Sequence, residues 1–189
     1  MKLKIYIKRF DKEVDLPMII HKGDWIDLRC AEPIKLKAPQ ASVRKTRTVE
    51  GVQESYRNVS FDIKLIKLGI GVLLPKGMEA DIVVRSSIHK KGLMQANIFG
   101  VIDGGEQEYG YNGPTDEWKF PAYGISDVDI PKGERICQFR LHLSQKATMW
   151  QKLKWVFSNG IEIVEVDELP IDKTVNRNGF GEGTKDIDK

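Results

Sequence analysis

Cysteine is nearly missing from this chain. Its 189 residues include two, Cys30 and Cys137, with no Cys-x-x-Cys pair. That excludes a disulfide framework and a cysteine zinc site, and it fits a reducing cytosol. Histidine is sparse as well: His21, His89 and His142 stand far apart and read as surface or capping residues, not as metal ligands. No apolar run reaches membrane-spanning length, and the start, Met1 to Arg9, has lysines but no apolar signal core. The expected location is cytoplasmic, with no membrane partner. Neither sign of charge dominates: 30 Lys+Arg against 27 Asp+Glu leave +3, too little to argue for a nucleic-acid partner.

What is present is a globular composition, 41% apolar and 30% charged, at a length that suits one domain. Leu3, Ile5 and Ile7 alternate with polar neighbours, which predicts a half-buried strand. Trp25 to Cys30 reads as a second strand. Lys37 to Ser60 is polar and basic, and Glu50-Gly51 reads as the tip of a hairpin with arms Val43–Val49 and Val52–Val59. This 37–60 insertion is expected to be a solvated arm, its other readings being a nucleic-acid arm and a contact for a protein partner. Phe61, Ile63 and Leu65 give way to Ile66, Leu68 and Ile70, a phase slip that predicts a bulge. Pro75-Lys76-Gly77 and Pro131-Lys132-Gly133 each turn the chain into a strand. On the second of these, Cys137, Phe139, Leu141 and Leu143 share one face, while Ile136, Gln138, Arg140 and His142 share the more polar one. Lys146 to Phe157 fits both helical and strand periods. Asn159-Gly160 tips the reading to a strand that hairpins into Ile161–Val166. From Pro170 onward the composition lacks the apolar surface for a core. The expected organisation is an all-β barrel or jelly roll over residues 1–169, with 170–189 as a C-terminal arm.

The chemistry concentrates between Asp81 and Asp103. Arg85-Ser86-Ser87 follows the β-branched run Ile82-Val83-Val84, and a guanidinium fork beside two hydroxyls can hold phosphate oxygens. Asp103 closes Phe99-Gly100-Val101-Ile102, where a partly desolvated carboxylate suits a base that activates water. Together they suggest phosphoryl or nucleotidyl chemistry.

Five stretches, in order, resemble the motifs of the trimeric all-β dUTPase family, which hydrolyses dUTP to dUMP and pyrophosphate. They are Gly23–Arg29, with Asp27-Leu28-Arg29; Arg85-Ser86-Ser87; Asn97–Asp103 continuing to Tyr111-Asn112-Gly113; Lys132–Gln138; and Arg177-Asn178-Gly179-Phe180-Gly181. Each is weak alone, and their order along nearly the whole chain is the signal. The resemblance implies Asp103 as general base for a water attacking the α-phosphorus. It implies Arg85, Ser86, Ser87 and Gln138 on the phosphates, and the backbone around Asn97, Val101 and Ile102 on the uracil edge. Tyr111 would lie under the deoxyribose, Phe180 and Gly181 over the base, and Arg177 on the terminal phosphates. One Mg²⁺ would bridge the triphosphate, with Asp27 either touching it through water or serving structure alone. A homotrimer is implied, with sites between subunits and the arm closing over a neighbour's site.

Three features depart from the family. Gly104 to Gly110 stand between Asp103 and Tyr111, so that Tyr111, Tyr109 or neither takes the sugar. Glu182 stands where the family has a hydroxyl, and the 37–60 insertion is longer than the family needs. Two rival readings are a dCTP deaminase of the same fold, with Glu117 as its glutamate, and a dUTPase-fold regulatory binding protein.

Overall fold

The computed structural model describes residues 1–19, 23–104, 110–172, 174, 176 and 177. Tyr109, Phe180, Gly181, Glu182 and His21 lie outside the described residues. In chain order the strands are β1 (Leu3–Arg9), β2 (Ile26–Arg29), β3 (Ile34–Leu36), β4 (Gln40–Ala41), β5 (Lys45–Val49), β6 (Val52–Tyr56), β7 (Val59–Ser60) and β8 (Ile63–Lys67). They continue as β9 (Ile70–Leu73), β10 (Met78–Val84), β11 (Leu93–Gln95), β12 (Gly100–Ile102), β13 (Lys119–Gly124), β14 (Val128–Ile130), β15 (Arg135–Leu143) and β16 (Ile161–Val166). A 3-10 turn spans Ile88–Lys91, and one helix, α1, spans Met149–Val156. The fold is all-β.

Alternation builds the sheets. Leu3, Ile5 and Ile7 of β1 are buried, and β1 lies between β16, to which it is parallel, and β9, to which it is antiparallel. The main functional sheet has the order β12-β10-β15-β2. In it Met78, Ala80 and Ile82 of β10 face Phe139 and Leu141 of β15 inside the core. Trp118 meets Phe139 edge to face at 5.2 Å, a favoured ring geometry. The third large sheet is β11-β13-β8.

Four expectations need correction. Lys146–Phe157 is not a strand: Met149–Val156 is helical, begun by a capping box in which Thr148 Oγ1 accepts from Gln151 N–H and Gln151 Oε1 accepts from Thr148 N–H. The Thr-x-x-Gln spacing satisfies two of the helix's orphan donors, and that outweighs the β-branched and aromatic content. Asn159-Gly160 therefore does not form a hairpin, and β16 runs parallel to β1. The slip at Leu65-Ile66 is not a bulge either. The pairing of β8 with β13 is unbroken from Ile63 to Lys67. The strand is apolar on both faces: Ile66 is buried, while Ile63 and Leu65 point out, 61% and 37% exposed. A real irregularity lies in β15, where the register with β2 shifts between Arg135 and Cys137 and turns Ile136 into the core. Ile136 thus leaves the polar face, on which Gln138, Arg140 and His142 remain.

The Lys45–Val49 and Val52–Tyr56 strands pair as an exposed ribbon, with Glu50 and Gly51 both at positive φ (52° and 82°) in its turn. Arg47 bridges to Glu54 and lies over the Tyr56 ring.

Both thiols are buried and free. Burial pushes the Cys137 thiol well above its usual value and raises that of Cys30. A thiolate reagent at mildly alkaline pH is therefore expected to label neither cysteine in the folded protein and both after denaturation. Rapid labelling of the native chain would contradict this packing.

Candidate active site

The site begins where β10 ends. Across the sheet Val83 stands opposite Gln138, and Gln138 opposite Asp27, so Gln138 and Asp27 lie side by side on the outer face. Arg85 follows two residues later, and its N–H donates to Ile136 O at 3.1 Å. The Arg85 Nε lies 2.8 Å from Asp27 Oδ1, and Arg135 Nη1 lies 3.0 Å from Asp27 Oδ2. One buried carboxylate thus holds two guanidiniums, leaving their other donors for an anion. Ser86 and Ser87 are exposed beside them, at the start of the 3-10 turn. Both Asp27 oxygens being engaged, the carboxylate fits a clamp on arginines and does not fit a metal ligand. Among the described residues no group of three or more His, Cys, Asp or Glu side chains is arranged to hold an ion.

The second half of the site is the segment from Gln95 to Asp103. Among the described residues no strand covers the edge of β10 beyond Ile82, and a buried amide takes that place. Gln95 Oε1 accepts from Val84 N–H at 2.9 Å, while Gln95 Nε2 donates to Ile82 O at 3.2 Å and to Asn97 Oδ1 at 2.8 Å. Gln95 therefore stands in for a strand and orients Asn97. Beside it a cleft of about 50 Å³ is lined by Asn97, Gly100, Val101 and Ile102 among others. Its rim is apolar and open, with Ile98, Phe99 and Val101 exposed. Ile98 sits at φ 60°, a left-handed conformation that is costly for a β-branched side chain and concentrates at functional sites.

Asp103 follows β12. A Cβ on the next residue, Gly104, would fall on the Met78 carbonyl, so only glycine lets the chain lie this close to β10. The Asp103 carboxylate is 48% exposed and ion-paired with the Arg177 guanidinium. About half of the Asp103 side chain is thus covered within one chain. Tyr111 N–H donates to Asp103 O at 3.1 Å, which returns the chain to Asp103's side at residue 111. The Tyr111 ring is only 8% exposed, and its hydroxyl donates to Glu117 O at 3.0 Å. Ile102, Asp103, Tyr111 and Arg177 thus lie towards one end of β10 and Arg85, Ser86, Ser87, Gln138 and Asp27 at the other, while Val101 stands opposite Asp81 and Asn97 is tied through Gln95 to Ile82 and Val84 between them. Asp103 and Arg85 themselves stand at opposite ends of β10. By the pairing of Ala80 with Ile102, Asp103 lies beyond Glu79. Arg85 is six residues along the same strand, roughly 20 Å away at 3.3 Å per residue.

Comparison with models of known protein families gives no match. Among curated proteins, the SPbeta prophage-derived deoxyuridine 5'-triphosphate nucleotidohydrolase of Bacillus subtilis is 35% identical over 185 residues, 97% of this chain and 100% of that protein. The chain belongs to the dUTPase family. The deoxyuridine 5'-triphosphate nucleotidohydrolase of a Hydrogenobaculum species is 30% identical, over 72% of this chain and 77% of its own. In fold the chain is similar to the dUTPase of Streptococcus mutans, with a TM-score of 0.53, 21% identity, and coverage of 75% of this chain and 98% of that one. It is also similar to the Staphylococcus bacteriophage 80alpha dUTPase, with a TM-score of 0.52, 18% identity, and coverage of 77% and 93%.

The family reading leaves the deaminase alternative without support. Glu117 spends its carboxylate on Gly69 N–H at 2.9 Å and its carbonyl on the Tyr111 hydroxyl. Sequence reasoning missed Gln95 and Asp116. The available signal for Gln95 was a lone amide in the apolar run Leu93–Ala96.

Gln95→Leu keeps the volume but strands a buried donor and a buried acceptor of β10. It is expected to cost about 2–4 kcal/mol in denaturant unfolding. A change within a few tenths would contradict the stand-in role.

Proposed function

We propose that the protein hydrolyses dUTP to dUMP and pyrophosphate, and that it does so as a homotrimer with its sites between subunits. The observation that carries the reading is the likeness to the Bacillus subtilis nucleotidohydrolase, which runs the full length of that protein. In this reading Asp103 takes a proton from a water in line with the α-phosphorus. The new P–O bond forms as the bond to the bridging oxygen breaks, and pyrophosphate leaves. Arg85, Ser86, Ser87 and Gln138 hold the phosphate chain, and the Asp27 clamp keeps Arg85 from spending its fork elsewhere. The backbone at Asn97, Val101 and Ile102 reads the uracil edge, and Tyr111 supports the deoxyribose. Arg177 moves from the Asp103 carboxylate to the terminal phosphates, which are the stronger anion. Phe180 and Gly181 would cover the base. Magnesium belongs to this scheme as the companion of the triphosphate, because a Mg²⁺ in such sites leans on substrate phosphates and water.

Two facts support assembly. The Asp103 and Arg85 ends of β10 are farther apart than a phosphate chain spans, so a second copy must bring them together. Apolar side chains are also left outside: Phe61, Ile63 and Leu65 along β8, and Ile98, Phe99 and Val101 beside the cleft. Contiguous exposed apolar surface of this kind marks an interface. Among the described residues no helix is long and apolar enough to cross a membrane, and the two free thiols suit a cytoplasmic setting. The 45–56 ribbon stands clear of the site and is an accessory arm in this reading, available to a protein partner.

Pyrophosphate release should be seen with dUTP and Mg²⁺, and far more weakly with UTP, dTTP or dCTP. Asp103→Asn should retain dUTP binding but lose turnover by about 10²–10⁴-fold, the range for a general base. Equal turnover of all four nucleotides, or an active Asp103→Asn, would overturn the proposal.

A further inference from the structure

The turn from Gly113 to Asp116 has a job that the hydrolysis as described leaves unassigned. Asp116 is 2% exposed, yet it carries a carboxylate. Its Oδ2 accepts from Gly113 N–H at 2.7 Å, which closes the turn, and from Arg177 N–H at 3.0 Å, which brings in a residue 61 positions later. Next to it the Asn176 side chain is read on both sides. Its Oδ1 accepts from Thr115 N–H at 2.9 Å and its Nδ2 donates to Thr115 Oγ1 at 2.6 Å.

Gly113 completes the fit. A Cβ there would stand 2.6 Å from Asn176 Oδ1, 2.7 Å from Asn176 Cα and 2.8 Å from Asp116 Oδ2. No φ in the left-handed range requires glycine at this position, so the requirement is space for the chain that crosses above it. The turn is itself braced: Lys8 Nζ donates to Pro114 O at 3.3 Å and pairs with Glu168 at 2.8 Å. Directly after Asn176, the Arg177 guanidinium reaches Asp103.

We infer that Gly113, Thr115 and Asp116 form a socket for Asn176, and that its purpose is to aim Arg177 at the Asp103 side of the active site. Asn176, Thr115 and Asp116 are then positioning residues for the hydrolysis, acting through Arg177 and touching no substrate themselves. The chemistry of socket and post is the same whichever copy in an assembly supplies the arm. The inference rests on the dUTP hydrolysis proposed above for its kinetic consequence, though not for the docking itself.

The test uses the full chain and four variants: Asn176→Ala, Gly113→Ala, Arg177→Ala and the double variant Asn176→Ala/Arg177→Ala. Removing two hydrogen bonds with Asn176→Ala should lower kcat/KM for dUTP about tenfold, and Gly113→Ala should do the same by displacing the arm. The double variant should be no worse than Arg177→Ala alone, because the socket acts only through that side chain. Without nucleotide, trypsin should cut after Arg177 faster in Asn176→Ala and Gly113→Ala than in the unmodified chain, at an unchanged thermal midpoint. Losses that multiply in the double variant, or unchanged cleavage in both single variants, would overturn the inference. If the unmodified chain fails to turn over dUTP, the functional reading falls, and the cleavage rates alone decide the socket.

Discussion

Strand β10 sets the terms for everything functional in this protein. It pairs with β12 on one side and β15 on the other. The first pairing ends at Ile102, just before Asp103, and Arg85 follows the far end of β10. A strand cannot bend back on itself, so Asp103 and Arg85 are kept roughly 20 Å apart by the spacing of the backbone alone. In the proposed assembly, the exposed apolar side chains near Asp103 and the half-exposed Asp103 carboxylate are what a chain carrying two half-sites leaves open.

Polar groups that never meet substrate prepare each half. At the Arg85 end, Asp27 pairs with and orients two guanidiniums at once, and the trio keeps a net positive charge; removing one partner of such a pair would leave a buried charge uncompensated. At the Asp103 end, Gln95 replaces the missing strand neighbour of β10, so the edge stays open as a cleft without orphaned backbone groups. Asp116 performs a similar service for the arm, holding its own turn and the Arg177 backbone with one oxygen. Each uses a buried polar side chain where an apolar one would pack as well but leave the geometry undefined.

The legible part of this architecture was the part written locally. Alternation in β1 and the turn signature before β15 are visible because period and turn chemistry act over a few residues. The roles proposed for Arg85, Asp103 and Gln138 come from family resemblance, since each sits in a short contiguous motif. The helix at Met149–Val156 was missed although Thr148 and Gln151 spell a capping box, because apolar residues at 153, 155 and 157 also satisfy a strand period. A lone amide in an apolar run marks Gln95, but the partners of Gln95 and Asp116 could not be read from the sequence. Gln95 satisfies backbone groups 11 and 13 residues away, and Asp116 meets a residue 61 positions distant. Such long-range partners exist only once the sheet has formed.

The claim that two copies must combine their half-sites is tested most directly by mixing two inactive chains. Asp103→Asn lacks the water-activating group and Arg85→Ala lacks the phosphate fork, so each alone should be silent. Co-expressed in equal amounts and purified without separating the assemblies, they should recover dUTP hydrolysis at about a quarter of the unmodified level, the share of sites that random assortment makes whole. Mixed assemblies that stay as inactive as either variant alone would contradict the account, because they would place Asp103 and Arg85 of the same chain in the same site.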